Sequence, residues 1–119
     1  MSIFTTILAT VVALEHLFIM YLETFATQSV KTSQVFNMTQ EELSRKSVTA
    51  LFKNQGIYNG LLAIFLLYGI ITGNLEITTI FVLFVIGAAG YGALTASPKI
   101  LLTQGGPAIL ALISILVFK

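Results

Sequence analysis

Residues 3–26 read IFTTILATVVALEHLFIMYLETFA, an apolar run in which the acidic and basic side chains are limited to Glu15, His16 and Glu23. A bilayer core about 30 Å thick needs about 20 helical residues to cross it. Because an open strand leaves its backbone polar groups unbonded in lipid, this run predicts a membrane-spanning helix. Residues 54–72, 77–96 and 100–118 are further apolar runs of similar length, so we expect four spans.

The composition of the whole chain supports the same class of protein. Of 119 residues, 56% are hydrophobic and 9% are charged, and the mean hydropathy is +0.95. A soluble domain has about 25% charged residues. The composition therefore predicts an all-α integral membrane four-helix bundle, built as a single domain over residues 1–119, with membrane lipid as its surroundings.

Charge and cysteine content exclude several function classes. The formal net charge is +1, which gives no reason to expect a nucleic-acid partner. The chain has no Cys, so disulfides, thiolate metal ligands and cysteine nucleophiles are excluded. With a single His as well, a zinc site is not expected, and we expect no metal ligands. No pattern in the sequence specifies a cofactor.

The polar segment 27–53 is expected to connect the first two spans. Residues 39–42, TQEE, have the form of a capping box, in which a hydroxyl is followed three residues later by Glu. Since no Gly or Pro occurs from 39 to 55, we expect one long helix that begins there and continues into the second span. Residues 27–38 would form a loop. Gly73 predicts a tight second turn, and Ser97, Pro98 and Lys99 predict a short third connection.

The basic residues predict the orientation of the chain. Cytoplasmic loops of membrane proteins carry an excess of Lys and Arg. Five of the six basic residues lie in the first and third connections: Lys31, Arg45, Lys46, Lys53 and Lys99. We therefore expect a protein of the plasma membrane with both connections on the cytoplasmic side. Both termini, including Lys119, are expected on the outer side.

The ionisable residues of the first span are candidate catalytic residues. A charged side chain within a span costs roughly 2.5–3.5 kcal/mol on insertion scales. At about 100° per residue, His16 and Glu23 fall within about 20° of each other, and Glu15 lies about 80° from Glu23. We expect all three to face the bundle interior, with Glu15 neutral or partnered. Together they could act as acid and base.

Polar residues of the other spans are expected at the same depth, in the cytoplasmic half. Gln55, Tyr58 and Asn59 are three and four residues apart, so they share one face of a helix. The candidate ligand-binding residues are Asn54, Gln55, Tyr58, Asn59, Tyr91 and Gln104. The outer halves of the spans are apolar, so the pattern predicts a polar pocket open to the cytoplasm. Alternatively, the amides and tyrosines only bind helices together, and Glu23 pairs with Lys53 or Lys31.

Small residues predict close helix packing. Gly56 and Gly60 form a GxxxG pair in the second span, and the third span is rich in Gly and Ala. Such a face packs inside the bundle or between copies, so we expect a homodimer or homotrimer. Gly105, Gly106 and Pro107 predict a kink or break beside Gln104, because Pro removes one backbone hydrogen bond.

Four motifs together resemble one bacterial and fungal family. They are Glu15-His16-x-x-Ile19-x-x-Leu22-Glu23, Asn54-Gln55-Gly56-x-Tyr58-Asn59, Gly90-Tyr91-Gly92 and Gln104-x-x-Pro107-Ala108. The chain resembles the domain-of-unknown-function family numbered thirteen-oh-four, which consists of small four-helix membrane proteins. The resemblance covers nearly the whole chain, although residues 28–36 depart from the Trp-, Pro- and Arg-rich loop of that family. It implies the fold and implies no activity.

Three functions are compatible with this pattern. The first is a site that binds a small molecule or lipid, with acid–base chemistry as an extension of it. The second is a proton-coupled transporter or channel subunit, since Glu and His carry protons within membranes. The third is a structural or accessory protein that binds no ligand.

Overall fold

The computed structural model of the protein describes residues 1–95 and 102–118. These residues form α1 (Ile3–Met20), a π-helical segment (Tyr21–Phe25), α2 (Val30–Phe36), α3 (Gln40–Ser44), α4 (Lys46–Ile71), α5 (Leu75–Thr95) and α6 (Gly106–Phe118). They contain no strand, so the expected all-α class is confirmed for the described part of the chain. The third connection predicted at Ser97, Pro98 and Lys99, and the terminal Lys119, lie outside the described residues.

Among the residues that the structure describes, three helices are long and apolar enough to cross a membrane. They are Ile3–Phe25 with 23 residues, Lys46–Ile71 with 26 and Leu75–Thr95 with 21. The apolar helix α6 has 13 residues, which is about 20 Å at 1.5 Å per residue and shorter than a bilayer core. The chain is therefore compatible with a membrane protein, while the four-span bundle stays a prediction.

The helix predicted over residues 100–118 is interrupted where the sequence indicated. Leu102 and Thr103 are helical, Gln104 lies in a turn, Gly105 lies in a bend, and α6 begins at Gly106. Pro107 occupies the first turn of α6, where its missing N–H has no partner to lose. The predicted break beside Gln104 is confirmed.

The prediction of a single long helix from residue 39 onward is wrong. The capping box is present, since Thr39 accepts from the Glu42 N–H and Glu42 accepts from the Thr39 N–H, each at 3.0 Å. However, α3 ends at Ser44, and Arg45 has an extended backbone with φ −63° and ψ 132°. The Thr49 hydroxyl donates to the Leu43 carbonyl at 2.6 Å, and the Leu43 side chain is fully buried. These contacts compensate for the break.

The segment expected as a loop, residues 27–38, contains α2. Ser29 caps its start by accepting from the Thr32 N–H at 3.2 Å, and Asn37 ends it in the left-handed conformation with φ 54°. Asn tolerates this conformation better than most residues. Thr32 is fully buried, so tertiary contacts hold a helix that its seven residues alone would not sustain.

The turn between α4 and α5 has the predicted geometry. Gly73 has φ +65°, and the N–H groups of Gly73 and Asn74 donate to the carbonyls of Ile70 and Gly69 at 3.1 and 2.8 Å. This is a Schellman motif, which needs a residue that can adopt positive φ. Asn74 then caps α5 by accepting from the Ile77 N–H at 3.0 Å.

The described helices belong to two compact units. One unit comprises Met1–Glu15 with Ala63–Lys119, and the other comprises His16–Leu62. In the first unit α5 packs against α6, and the buried hydroxyls of Thr5 and Ser114 lie 2.7 Å apart. The Phe4 and Phe118 rings stack with centroids 5.1 Å apart. In the second unit α2 packs against α3 and against the π-helical segment.

The capping box of α3 gives a pH-dependent prediction. Hydrogen bonds from the backbone N–H and the hydroxyl of Thr39 hold the pKa of Glu42 below its ordinary value of 4.5. The bond therefore stabilises α3 above that value and is lost as the pH falls through the folded pKa. We expect Thr39→Ala to move the ¹³C NMR titration midpoint of Glu42 upward, toward 4.5, and Thr79→Ala in α5 to leave it unchanged. An unchanged midpoint in Thr39→Ala would contradict this assignment.

Candidate functional site

The first long helix ends in a π-helical segment that carries Glu23. The Ala26 N–H donates to the Tyr21 carbonyl at 3.0 Å, a bond that spans five residues instead of four. Such wider turns are rare in proteins overall, and those that occur are often found at functional sites. The sequence pattern did not predict this segment, because a straight α-helix was expected at Glu23.

The Glu23 side chain is buried and has a specific partner. It is 5% exposed, and its Oε1 atom accepts a hydrogen bond from Asn59 Nδ2 at 2.6 Å. Both residues are candidates from the sequence, Glu23 from the first of the four family motifs and Asn59 from the second. The alternative pairing of Glu23 with Lys53 is not observed within the described residues, where Lys53 Nζ donates to the Thr24 carbonyl at 2.8 Å. The structure thus brings a carboxyl and an amide together inside the unit His16–Leu62.

Two glycines allow α4 to approach the first helix at this point. A Cβ atom added at Gly56 would lie 3.1 Å from the Cβ atoms of Glu23 and Thr24 and would overlap the Thr24 hydroxyl. A Cβ added at Gly60 would meet the Met20 thioether. The GxxxG pair is therefore a contact surface within one copy of the chain, and it sets the short distance between Glu23 and Asn59.

Side chains cap the carbonyl groups at the end of the π-helical segment. The Thr27 hydroxyl donates to the Glu23 carbonyl at 2.6 Å, and the Thr32 hydroxyl donates to those of Leu22 and Ala26 at 3.2 and 2.6 Å. Helix ends leave such carbonyls without intrahelical donors. The hydrogen bonds fix the backbone that presents Glu23. Thr27 and Thr32 were not candidates, because their segment was expected to be a loop.

The other predicted residues fall into two groups. In the same unit as Glu23, His16 is buried, whereas Asn54, Gln55 and Tyr58 are exposed, with Tyr58 at 64%. The residues in the other unit are Glu15, Tyr91 and Gln104. Glu15 Oε1 is buried and has no hydrogen-bond partner among the described residues, and Tyr91 is 70% exposed. One cavity lined by both groups stays a prediction. Within the described ranges, no three His, Asp or Glu side chains are grouped as metal ligands.

A groove lies beside the capped helix end. It has a volume of about 350 Å³. Its lining residues are Phe25, Ala26, Thr27, Gln28, Ser29, Thr49 and Lys53. From the sequence, Lys53 was expected in a cytoplasmic connection, and no site was assigned there. The cluster of hydroxyl and amide residues at 27–29, directly after an apolar span, was the signal that could have found it.

Comparison with known proteins places the chain within a family of unknown function. A family model described as "Protein of unknown function (DUF1304)" matches residues 10–116. The chain is also 59% identical over 116 residues to "Uncharacterized protein YpaA" of Lactococcus lactis subsp. lactis (strain IL1403), a match that covers 96% of this chain and 98% of that protein. No solved structure matches the chain.

Proposed function

Since the chain belongs to the DUF1304 family of proteins of unknown function, we propose its function from the site itself: it is an integral membrane protein that binds a small molecule or lipid through Glu23. The observation that carries the proposal is the buried carboxyl of Glu23. This residue lies in the π-helical segment, and its carboxyl accepts a hydrogen bond from Asn59 in α4. Asn59 engages Oε1 and leaves Oε2 to accept a hydrogen bond from a ligand. The ligand group that fits is a donor, such as an amine, an amide or a hydroxyl.

Energetic cost supports a binding role over a purely structural one. A carboxyl in a membrane-spanning helix is expensive even when it is partly hydrogen-bonded. An amide pair would hold two helices together as well, at about 0.6 kcal/mol per interhelical hydrogen bond in membranes and without the cost of a carboxyl. Close packing at Gly56 already brings the helices together. A carboxyl at this position is therefore best explained by a ligand that it recognises.

Acid–base chemistry at the same site is an extension of this proposal. His16 is buried in α1, seven residues before Glu23, and the sequence predicts that Glu15, Tyr91 and Gln104 contribute to the site as well. A reaction would need Glu23 or His16 within hydrogen-bond reach of the transferred proton of the ligand. Binding is the part of the proposal that the observed contacts support.

The experiment compares compounds that stay bound through purification. Wild-type protein is extracted in mild detergent, and retained lipids and small molecules are identified by native mass spectrometry. We expect Glu23→Gln to lose the retained compound, since Gln keeps the shape and the bond to Asn59 but replaces one acceptor oxygen with a donor nitrogen. The matched control is Glu76→Gln, the same change at an exposed residue at the start of α5.

Three outcomes would contradict ligand binding at Glu23. A wild-type protein that retains no compound, with Glu23→Gln changing only its thermal stability, would favour a structural role. Equal retention by wild type and Glu23→Gln would place the ligand elsewhere. Proton flux in liposomes that Glu23→Gln abolishes would favour the transport alternative.

A further inference from the structure

The groove beside the helix end carries an inference that is independent of Glu23. We propose that this groove binds the phosphate of an acidic phospholipid headgroup, with Lys53 as the cationic contact. Its volume of about 350 Å³ is at the lower end of the range of roughly 300–1,000 Å³ found for ligand pockets. A headgroup with one phosphate and a short polar substituent is of this size.

The donors in the groove fit a phosphate. The Lys53 ammonium has three N–H donors, and one of them bonds the Thr24 carbonyl at 2.8 Å, so two can face an anion. The Gln28 side chain is exposed and adds an amide donor. The backbone N–H groups of Thr27 and Gln28 lie outside any helix and donate to no described residue. Backbone N–H groups together with a Lys are a common way to bind phosphate.

The hydroxyl groups hold the walls of the groove. Thr27 donates its hydroxyl proton to the Glu23 carbonyl, and Thr49 donates to the Leu43 carbonyl, both at 2.6 Å. Ser29 accepts from the Thr32 N–H and caps α2. Because these groups are engaged in the fold, they keep the groove open and leave recognition of the anion to Lys53, Gln28 and the backbone.

Charge and exposed apolar surface favour a lipid as the source of the phosphate. Residues 16–62 contain four basic residues, all exposed, and three acidic residues, of which Glu23 is buried. Juxtamembrane clusters of Lys and Arg bind anionic lipids. Phe25 lines the groove and is 71% exposed. An exposed apolar ring beside a cation suits the boundary between headgroups and acyl chains, where inorganic phosphate would gain nothing from the ring.

The test uses the absence of Trp from the sequence. Phe25→Trp places the only Trp of the chain at the groove. The variant is incorporated into lipid vesicles of phosphatidylcholine and phosphatidylglycerol in which only one lipid class is brominated, so quenching reports which class contacts the groove. We expect brominated phosphatidylglycerol to quench more strongly than the same fraction of brominated phosphatidylcholine.

Two pairs of variants locate the preference. Lys53→Gln in the reporter background should lower the preference for phosphatidylglycerol about fivefold, the effect of one basic residue near an anionic surface, whereas Lys46→Gln, with the same change of charge, should leave most of it. Gln28→Glu should also lower the preference by adding a negative charge to the groove, and Gln34→Glu on α2 should not. Circular dichroism verifies that each variant is folded. If Lys53→Gln does not fold, the comparison of Gln28→Glu with Gln34→Glu tests the proposal in its place.

Several results would overturn the proposal. Equal losses in Lys53→Gln and Lys46→Gln, or in Gln28→Glu and Gln34→Glu, would show diffuse charge attraction in place of a site. Equal quenching by both lipids would show no headgroup preference. Recovery of fluorescence on adding inorganic phosphate at a matched ionic strength would show that the groove takes free phosphate, which would overturn the lipid assignment. Because Glu23 is unchanged throughout, these results are separate from the ligand test at Glu23.

Discussion

Gly56→Ala is expected to lower the free energy of unfolding of the protein in detergent by roughly 1–2 kcal/mol. The added Cβ would lie 3.1 Å from the Cβ atoms of Glu23 and Thr24 and would overlap the Thr24 hydroxyl. The hydroxyl can rotate away only by losing its bond to the Lys53 carbonyl, and neither Cβ can move without its backbone. Overpacking costs about 1–3 kcal/mol, and the gain in helix propensity on replacing Gly, about 1 kcal/mol at most, offsets only part of that.

The matched controls are two other glycines that lie within long apolar helices. At Gly87 in α5 an added Cβ would meet nothing within 4 Å, and at Gly60 it would meet the flexible thioether of Met20. We expect Gly87→Ala to be neutral or slightly stabilising and Gly60→Ala to have a small effect. Thermal unfolding, monitored by circular dichroism, ranks the three variants by stability. A Gly56→Ala protein as stable as Gly87→Ala would contradict the close contact between α4 and the π-helical segment.

Asn59→Leu is expected to lower the unfolding free energy by about 1–3 kcal/mol. The change removes the donor to Glu23 Oε1 and leaves a buried oxygen without its partner. The cost of an unsatisfied buried polar atom exceeds the value of the hydrogen bond itself. The exposed Asn54, five residues earlier in α4, provides the control, because Asn54→Leu leaves no buried polar group without a partner.

A double-mutant cycle identifies the partner of Asn59. Glu23→Met removes the carboxyl at similar length, so the double variant Glu23→Met with Asn59→Leu should be more stable than the sum of the two single effects predicts. Coupling between residues in contact is about 0.5–3 kcal/mol. Additive single effects would mean that the carboxyl and the amide do not interact in the folded protein. The stability cycle and the ligand-retention experiment together separate a structural contribution of this pair from a recognition role.

The fold of this chain depends partly on signals that are local in sequence. Runs of apolar residues determined the helices over Ile3–Phe25, Lys46–Ile71 and Leu75–Thr95, because length and apolarity suffice for such an assignment. The capping box at Thr39 and the positive φ at Gly73 were also predictable, since each motif is formed by residues within one turn. The break beside Gln104 followed from glycine and proline chemistry alone.

The remaining features were decided by contacts that join one helix to another helix or to the segment between them. The break at Arg45 coincides with the buried Leu43 and the bond from Thr49, and α2 is held by the buried Thr32, neither of which a local pattern contains. For Glu23, the sequence offered Lys53 and Lys31 as possible partners and placed Asn59 only in the same predicted pocket. The close approach at Gly56 and the wider turn at residues 21–25 selected Asn59, because only three-dimensional packing sets which of several compatible side chains reaches a buried carboxyl.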